Sequence, residues 1–162
     1  MARWLTRVPG VASHARARAG LRGHTVCAPE ATVLVANSTW QRIGIDDTYS
    51  ANMRCAWLLT SEPGYHIQLI VRTQLEDSLG CAADAVEVST ASSGGKPARP
   101  LETTCGVDTA TVTMPDGLDA NVTFRSDASV QHRGFYVAFR LLATTLGALG
   151  WYKSHFRTCN RF

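Results

Sequence analysis

Residues 62–72 read EPGYHIQLIVR, and this stretch decides the fold class. The Pro63-Gly64 pair marks a turn, and a two-residue pattern follows it. Two interleaved sets of side chains alternate in the order Tyr65, His66, Ile67, Gln68, Leu69, Ile70, Val71, Arg72. Period two predicts a β-strand that buries one of its faces.

Similar segments recur along the chain. Alternating apolar positions are found in residues 85–88, 110–114, 118–124 and 135–141, and residues 55–59 are apolar throughout. Turn signals separate these segments at residues 62–64, 92–97, 115–117 and 132–134. No stretch combines a long 3.6-residue period with helix caps. Many short strands at regular spacing predict an all-β protein built as a β-sandwich.

Composition predicts one folded domain with basic ends. The chain has 162 residues, of which 45% are hydrophobic and 18% charged, so it can bury a core. The formal net charge is +3, yet all 13 acidic residues lie between Glu30 and Asp127. Residues 27–139 hold seven of the 16 basic residues, which gives this part a net charge of −6. The basic pI of 8.7 therefore describes the two ends, and we do not expect nucleic-acid binding.

The two ends have no recognisable membrane or secretion signal. Residues 1–26 are basic and are predicted to be disordered, and their longest apolar run is too short for a secretory signal peptide. This Arg-rich start is either an organelle transit peptide or a mis-assigned or truncated start in place of a signal peptide. Residues 141–151 have about half the length that a bilayer needs, so no transmembrane segment is expected. Residues 143–162 form a C-terminal tail of unassigned structure.

The cysteines and sequons favour a secreted protein. Cys27, Cys55, Cys81 and Cys105 are spread through the acidic part without a CxxC pair, which does not fit a structural zinc site. Sequence alone allows three pairings of these four cysteines. Cys159 is free, pairs with another chain, or belongs to a tail of artificial origin. Asn37 and Asn121 stand in Asn-x-Thr sequons and are predicted glycosylation sites of an extracellular protein.

A longer string of residues identifies the family that the chain resembles. The string is Cys27, Tyr49, Asn52-x-x-Cys55-x-Trp57, Pro63-Gly64-Tyr65-x-Ile67-x-Leu69, Leu75-Glu76, Cys81-x-x-Asp84-x-Val86-x-Val88, Cys105-Gly106, Val122-x-Phe124-x-Ser126-Asp127 and Gly134-Phe135. With this string, residues 27–142 resemble a CUB domain, the secreted module of complement proteases, tolloid-like proteases, cubilin and spermadhesins. The resemblance implies a two-sheet antiparallel jelly-roll sandwich. It also implies the sequential disulfides Cys27–Cys55 and Cys81–Cys105.

The resemblance further implies a calcium site. The matching ligand positions are Tyr49, Glu76, Asp84 and Asp127, with Ser129 and Val130 contributing through main-chain or water-linked oxygens. Ca²⁺ requires six to eight oxygen ligands at about 2.3–2.6 Å, which converging carboxylates supply. We expect the tyrosine to orient a carboxylate rather than to bind the ion. The alternative is that the acids are ordinary solvated loop residues.

Calcium-binding relatives often receive a partner's lysine or arginine at the loaded site, which implies partner binding at Glu76, Asp127 and Ser129. No Gly-x-Ser-x-Gly, His-Glu-x-x-His or phosphate-binding loop is present, so an enzyme is not expected. The sequence thus predicts a non-catalytic, calcium-dependent extracellular protein-interaction module. Two alternatives remain: an accessory CUB module from a larger secreted protease of the astacin, tolloid or complement type, and a spermadhesin-like binder of glycans or heparin.

Overall fold

The computed structural model describes residues 27–28, 30–92, 95 and 97–144 of the chain. The predicted basic N-terminal segment, nearly all of the C-terminal tail and Cys159 lie outside the described residues. The described part forms nine strands: β1 (Thr32–Val35), β2 (Gln41–Ile45), β3 (Arg54–Thr60), β4 (Tyr65–Gln74), β5 (Ala85–Thr90), β6 (Pro100–Thr104), β7 (Val107–Thr113), β8 (Ala120–Arg125) and β9 (Gly134–Ala143). A short 3₁₀ turn, Leu79–Cys81, lies between β4 and β5.

The strands form two sheets. One sheet has five strands in the order β1-β3-β8-β5-β6, and the other has four in the order β2-β9-β4-β7. All strand pairs are antiparallel except β1 with β3, which pair in parallel from Thr32 opposite Trp57 to Val35 opposite Thr60. The all-β sandwich predicted from the sequence is confirmed, with β1 as a parallel exception at its edge.

The core lies between the inner faces of the two sheets. Alternate residues of the central strands are buried, as in β3, where Cys55, Trp57 and Leu59 point inward. The rings of Phe124 and Phe135 lie 4.8 Å apart between centroids, and Trp57 meets Phe135 edge-on at 5.9 Å. The strand periodicity seen in the sequence therefore arises from burial of one face of each sheet.

Two disulfides cross-link the sandwich, one from the N-terminal segment to a strand and one between two connecting segments. Cys27 is bonded to Cys55 in β3, and Cys81 at the end of the 3₁₀ turn is bonded to Cys105. The sequential pairing that the resemblance implied is confirmed. In the chain-entropy model each bridge of this loop length stabilises the fold by about 3–4 kcal/mol. Among the residues that the structure describes, no helix is long and apolar enough to cross a membrane.

Candidate metal centre

One end of the sandwich gathers the loops that carry the predicted ligands. The loop between β2 and β3 holds Tyr49, the loop between β4 and β5 holds Glu76 and Asp84, and the loop between β8 and β9 holds Asp127. The register of β5 and β8 explains why two of these residues lie close together. Because β5 and β8 are antiparallel neighbours with Ala85 opposite Arg125, the residues just outside them, Asp84 and Asp127, lie side by side.

Asp84 is the buried centre of this loop cluster. Its side chain has no exposed surface, and both of its carboxylate oxygens accept hydrogen bonds. The backbone N–H of Asp127 donates to Asp84 Oδ1 at 2.9 Å, and the Tyr49 hydroxyl donates to Asp84 Oδ2. The buried Asp84 carboxylate therefore fixes its own loop against the loop of Asp127 and the loop of Tyr49.

Tyr49 connects a third loop to the same carboxylate. Its ring is 3% exposed and packs edge-on against Phe124, with 5.3 Å between ring centroids. Its hydroxyl oxygen accepts a hydrogen bond from the Glu76 backbone N–H at 3.3 Å, and the Val130 carbonyl oxygen lies 3.4 Å away. Burial, together with donation to Asp84, raises the pKa of the Tyr49 phenol to about 12. The tyrosine stays protonated and acts as a hydrogen-bond bridge between the loops.

The three carboxylates converge on one point. One oxygen each of Glu76, Asp84 and Asp127 lies within 4.8 Å of the other two. Glu76 and Asp127 are partly exposed, so the cluster is open to solvent on one side. Ser129 lies at this opening. Its backbone N–H and its hydroxyl both donate to Asp127 Oδ1, at 2.7 and 2.9 Å, and its hydroxyl lies 3.4 Å from Glu76 Oε2.

The donor set fits a hard divalent cation. Three negative charges this close repel one another strongly, and no cationic side chain among the described residues lies within ion-pair distance of them. Carboxylate, hydroxyl and carbonyl oxygens from separate loops are the ligands that Ca²⁺ takes in flexible geometry. All six predicted residues lie at this end of the sandwich. Val130 is 54% exposed, and its carbonyl oxygen lies beside the Tyr49 hydroxyl.

Sequence reasoning missed the residues that position the acidic loops. The Arg125 guanidinium donates to the carbonyls of Cys81, Ala82 and Ala83, at 2.7 Å for Ala82 and 2.6 Å for Ala83, and so holds the segment that leads into Asp84. The Gly106 backbone donates to the Glu76 carbonyl at 3.3 Å. Gly106 stands in the Cys105-Gly106 motif, but only the fold brings it to Glu76, and no local sequence signal predicts either contact.

Ser126 and Asn52 hold the remaining loop. The Ser126 hydroxyl donates to the Ser50 carbonyl and accepts from the Met53 N–H, both at 2.9 Å. Asn52 has a positive φ of 58° and donates its N–H to the Asp127 carbonyl at 2.7 Å. Asparagine tolerates this left-handed conformation better than most residues, so the Asn-x-x-Cys motif has a local structural cause.

The two predicted glycosylation sites differ in their surroundings. Asn37 is exposed in the loop between β1 and β2, where its side-chain oxygen accepts from the N–H and the hydroxyl of Thr39 at 2.9 and 2.6 Å. Asn121 is half-buried within β8, between Leu58 of β3 and Ser89 of β5. Asn37 thus lies on a surface loop, and Asn121 lies on the outer face of a central strand.

Comparison with known proteins agrees with this architecture. The model of the CUB domain family matches residues 27–139. The adhesion G-protein coupled receptor G6 of Danio rerio is 31% identical over 100 residues, which are 60% of this chain and 8% of the receptor. Cubilin of Sus scrofa is 33% identical over 107 residues, which are 65% of this chain and 3% of cubilin. The chain spans less than a tenth of the length of either relative.

Solved structures show the same fold. The full extracellular region of zebrafish Gpr126/Adgrg6 matches with a TM-score of 0.58 and 25% identity, over 72% of this chain and 15% of that one. The MASP-1 CUB2 domain, solved bound to Ca²⁺, matches with a TM-score of 0.52 and 19% identity, over 65% of this chain and 96% of that one. The family match, the nine-strand sandwich and the two disulfides agree, and the chain belongs to the CUB domain family.

Proposed function

We propose that this chain is a non-catalytic, extracellular protein-interaction module whose binding depends on Ca²⁺ held by Glu76, Asp84 and Asp127. The observation that carries the proposal is the convergence of these three carboxylates from two loops, with their oxygens within 4.8 Å and without a cationic partner among the described residues. A divalent cation removes the repulsion between them and fixes the loops. Tyr49 and Ser129 orient the carboxylates, and the Val130 carbonyl is a further oxygen at the same place.

The partly exposed acids supply the partner-binding surface in this proposal. Asp84 is fully buried, whereas Glu76 and Asp127 keep exposed surface beside the Ser129 hydroxyl. A lysine or arginine from a protein partner can form ion pairs with these outward oxygens while the metal holds them in place. Such pairs contribute most when the partner excludes water from them, because exposed ion pairs are weak.

The first test is a calcium titration of the full 162-residue chain by calorimetry and thermal unfolding. Extracellular sites of this kind have a Kd of about 10⁻⁴–10⁻³ M. Calcium at about 1 mM should then stabilise the fold by about 0.5–1.5 kcal/mol by linkage. E76Q and D127N should each abolish most of this gain. D77N is the matched control, since Asp77 is exposed beside Glu76 and outside the carboxylate cluster. If added calcium releases or absorbs no heat of binding and leaves the unfolding temperature unchanged, the chain does not bind calcium and the proposed calcium dependence is wrong.

The second test concerns the partner. Glu76→Ala and Asp127→Ala are compared with the parent chain in excess calcium, for capture of a lysine-containing peptide library on beads. A calcium-dependent module should lose its ligand in both variants while its unfolding transition stays cooperative. Retained binding in both variants would place the interaction surface elsewhere on the sandwich.

A second candidate function follows from the length of the relatives. Because the chain matches less than a tenth of either curated relative, we propose as an alternative that it is an accessory module of a longer secreted protein, including a protease of the astacin, tolloid or complement type. Sequencing the full-length transcript separates the two. A protease domain beside residues 27–142 would establish the accessory role, and a transcript without one would leave the independent module.

A third alternative is a spermadhesin-like glycan or heparin binder. Such a module should be retained on heparin in a salt-dependent way, with no requirement for calcium. Retention that is equal in EDTA and in calcium would favour this alternative over the metal-dependent module.

A further inference from the structure

A second concave site lies on the outer face of the four-stranded sheet. All four strands contribute to a groove of about 620 Å³, near the sheet end that leads into the loops of Glu76 and Asp127. Register places Tyr136 of β9 between Gly44 of β2 and Arg72 of β4, with Thr109 of β7 beyond. The groove therefore crosses the strands, and residues far apart in sequence line it.

Three arginines line this groove, which we name the arginine groove. They are Arg42, Arg72 and Arg133. The Arg42 guanidinium carbon lies 4.1 Å above the centroid of the Tyr136 ring, and that of Arg72 lies 5.9 Å from the same centroid. The Tyr136 ring thus forms a close cation–π contact with Arg42 and a longer one with Arg72. Gly134 lies two residues before Tyr136 on the same face and adds no side chain to the groove.

Two of these arginines have unused hydrogen-bonding capacity. Arg42 forms an ion pair with Asp46. Among the described residues, neither Arg72 nor Arg133 has an ion-pair partner, and both are exposed. By contrast, the guanidinium of Arg140 on the same sheet face already has partners within the chain. It donates two hydrogen bonds to the Gln68 side chain, at 3.0 and 3.1 Å, and stacks on Trp40.

The concentration of positive charge is unusual for this molecule. Residues 27–139 have a net charge of −6 and contain seven basic residues, three of which line the arginine groove. A guanidinium presents a planar fork of N–H donors that matches a carboxylate in geometry. The groove therefore has the chemistry to bind an anion in a module whose net charge is negative.

Two aspartates that line the groove restrict the kind of anion that it can bind. Asp46 and Asp108 also line the groove, so a polymer that is negative along its whole length would meet two like charges. A single carboxylate flanked by neutral residues brings one negative charge into the groove, where a polyanion brings several. We propose that the arginine groove binds an acidic peptide segment of a protein partner, with one Asp or Glu carboxylate held between Arg72 and Arg133, independently of calcium.

The test uses the full 162-residue chain, labelled with ¹⁵N, in EDTA so that the metal centre has no part in the result. The probe is the peptide Gly-Gly-Glu-Gly-Gly with both ends blocked so that only the glutamate is charged. It is titrated to about 5 mM, because we expect millimolar affinity when one carboxylate binds the two arginines. Its glutamine analogue is the matched ligand control. The glutamate peptide should give saturable shifts in backbone amides of residues 42–46, 72–74 and 133–136, and the glutamine peptide should give none.

Variants then assign the contact. Arg72→Gln and Arg133→Gln should each weaken glutamate-peptide binding at least fivefold, because charge-assisted hydrogen bonds to the carboxylate are lost. Arg54→Gln makes the same charge change on the other sheet, at the exposed start of β3, and should leave the affinity unchanged. The proposal is overturned if no saturable shifts occur, if Arg72→Gln and Arg133→Gln bind as tightly as the parent, or if a heparin-derived tetrasaccharide binds at this face and the peptide does not.

Discussion

The acidic end and the arginine groove are two sites of opposite charge that are built in different ways. At the acidic end, side chains come from loops, and the buried Asp84 carboxylate and the Tyr49 hydroxyl hold those loops together. In the arginine groove, side chains come mostly from strands, and the sheet register sets their spacing. The difference teaches that a loop site depends on its own polar network for shape, whereas a sheet site takes its shape from the backbone ladder. Substitutions at the two sites should therefore have very different effects on stability.

The largest effect is expected for Asp84→Ala. This change leaves two donors, the Asp127 N–H and the Tyr49 hydroxyl, without their acceptor in a buried place. It should lower the free energy of unfolding in excess calcium by about 2–4 kcal/mol and abolish calcium binding. Urea unfolding and calorimetry measure the two quantities.

Asp119→Ala is the control for this change. Asp119 accepts from the Ser61 N–H at 2.7 Å at the other end of the sandwich. Its loss should cost about 1 kcal/mol and leave calcium binding unaltered. If Asp84→Ala cost no more than Asp119→Ala, the loops at the acidic end would be held by their backbone contacts instead of by the carboxylate.

An intermediate effect is expected for Tyr49→Phe. The phenylalanine keeps the packing on Phe124 but loses the hydroxyl that donates to Asp84 and accepts from the Glu76 N–H. We expect a loss of about 1–2 kcal/mol in unfolding free energy, and weaker calcium affinity because the carboxylates are less well oriented. Tyr65→Phe, on a ring that is 38% exposed, should change neither.

The same variant tests the pKa of Tyr49. The folded-state pKa is raised to about 12, above the ordinary 10.0, first by burial and then by donation to Asp84. The folded state therefore binds the phenolic proton more tightly than the unfolded state does. The stabilisation from this group is complete below pH 10 and is lost as the pH rises from 10 towards 12. The difference in unfolding free energy between parent and Tyr49→Phe should shrink over this range, and a difference that grew would reverse the sign of the shift.

The smallest effect on stability is expected for Arg72→Gln. Because Arg72 is exposed and has no ion-pair partner among the described residues, its loss should change the free energy of unfolding by less than about 0.5 kcal/mol. Urea denaturation measures it. A cost well above this value would mean that Arg72 supports the sheet, and that a loss of peptide binding in the variant had a structural origin.

Strands whose apolar residues alternate clearly could be predicted from the sequence, and strands without a clear alternation could not. The alternation in residues 65–72 and 135–141 corresponds to β4 and β9, which are central in their sheet and bury every second residue. β1 shows no such pattern, because Val33 and Val35 are 60% and 65% exposed and its partner is a parallel neighbour. β2 and β6 are edge strands of five residues each that the sequence pattern does not predict, whereas β7, also at an edge, follows the alternation of Ala110 and Val112.

The acidic cluster and the arginine groove differ in predictability as well. Glu76, Asp84 and Asp127 stand within motifs of the family, so a resemblance is enough to group them. Arg42, Arg72 and Arg133 belong to no such motif, and only the pairing of β2, β9 and β4 brings them to one groove. Arg125 escaped prediction because its partners are backbone carbonyls, which carry no sequence signal.

If the predicted sequon at Asn121 carries a glycan, the placement of this residue within β8 determines when that glycan can be added. Once β8 is inserted between β3 and β5, its backbone is held on both sides and its side chain is half-buried on the sheet. An enzyme that needs a flexible acceptor segment can reach this asparagine only before the sheet closes, whereas the exposed Asn37 loop stays accessible afterwards. A glycan at Asn121 would therefore show that the five-stranded sheet closes only after the glycan has been attached. It would also cover the face opposite to the arginine groove.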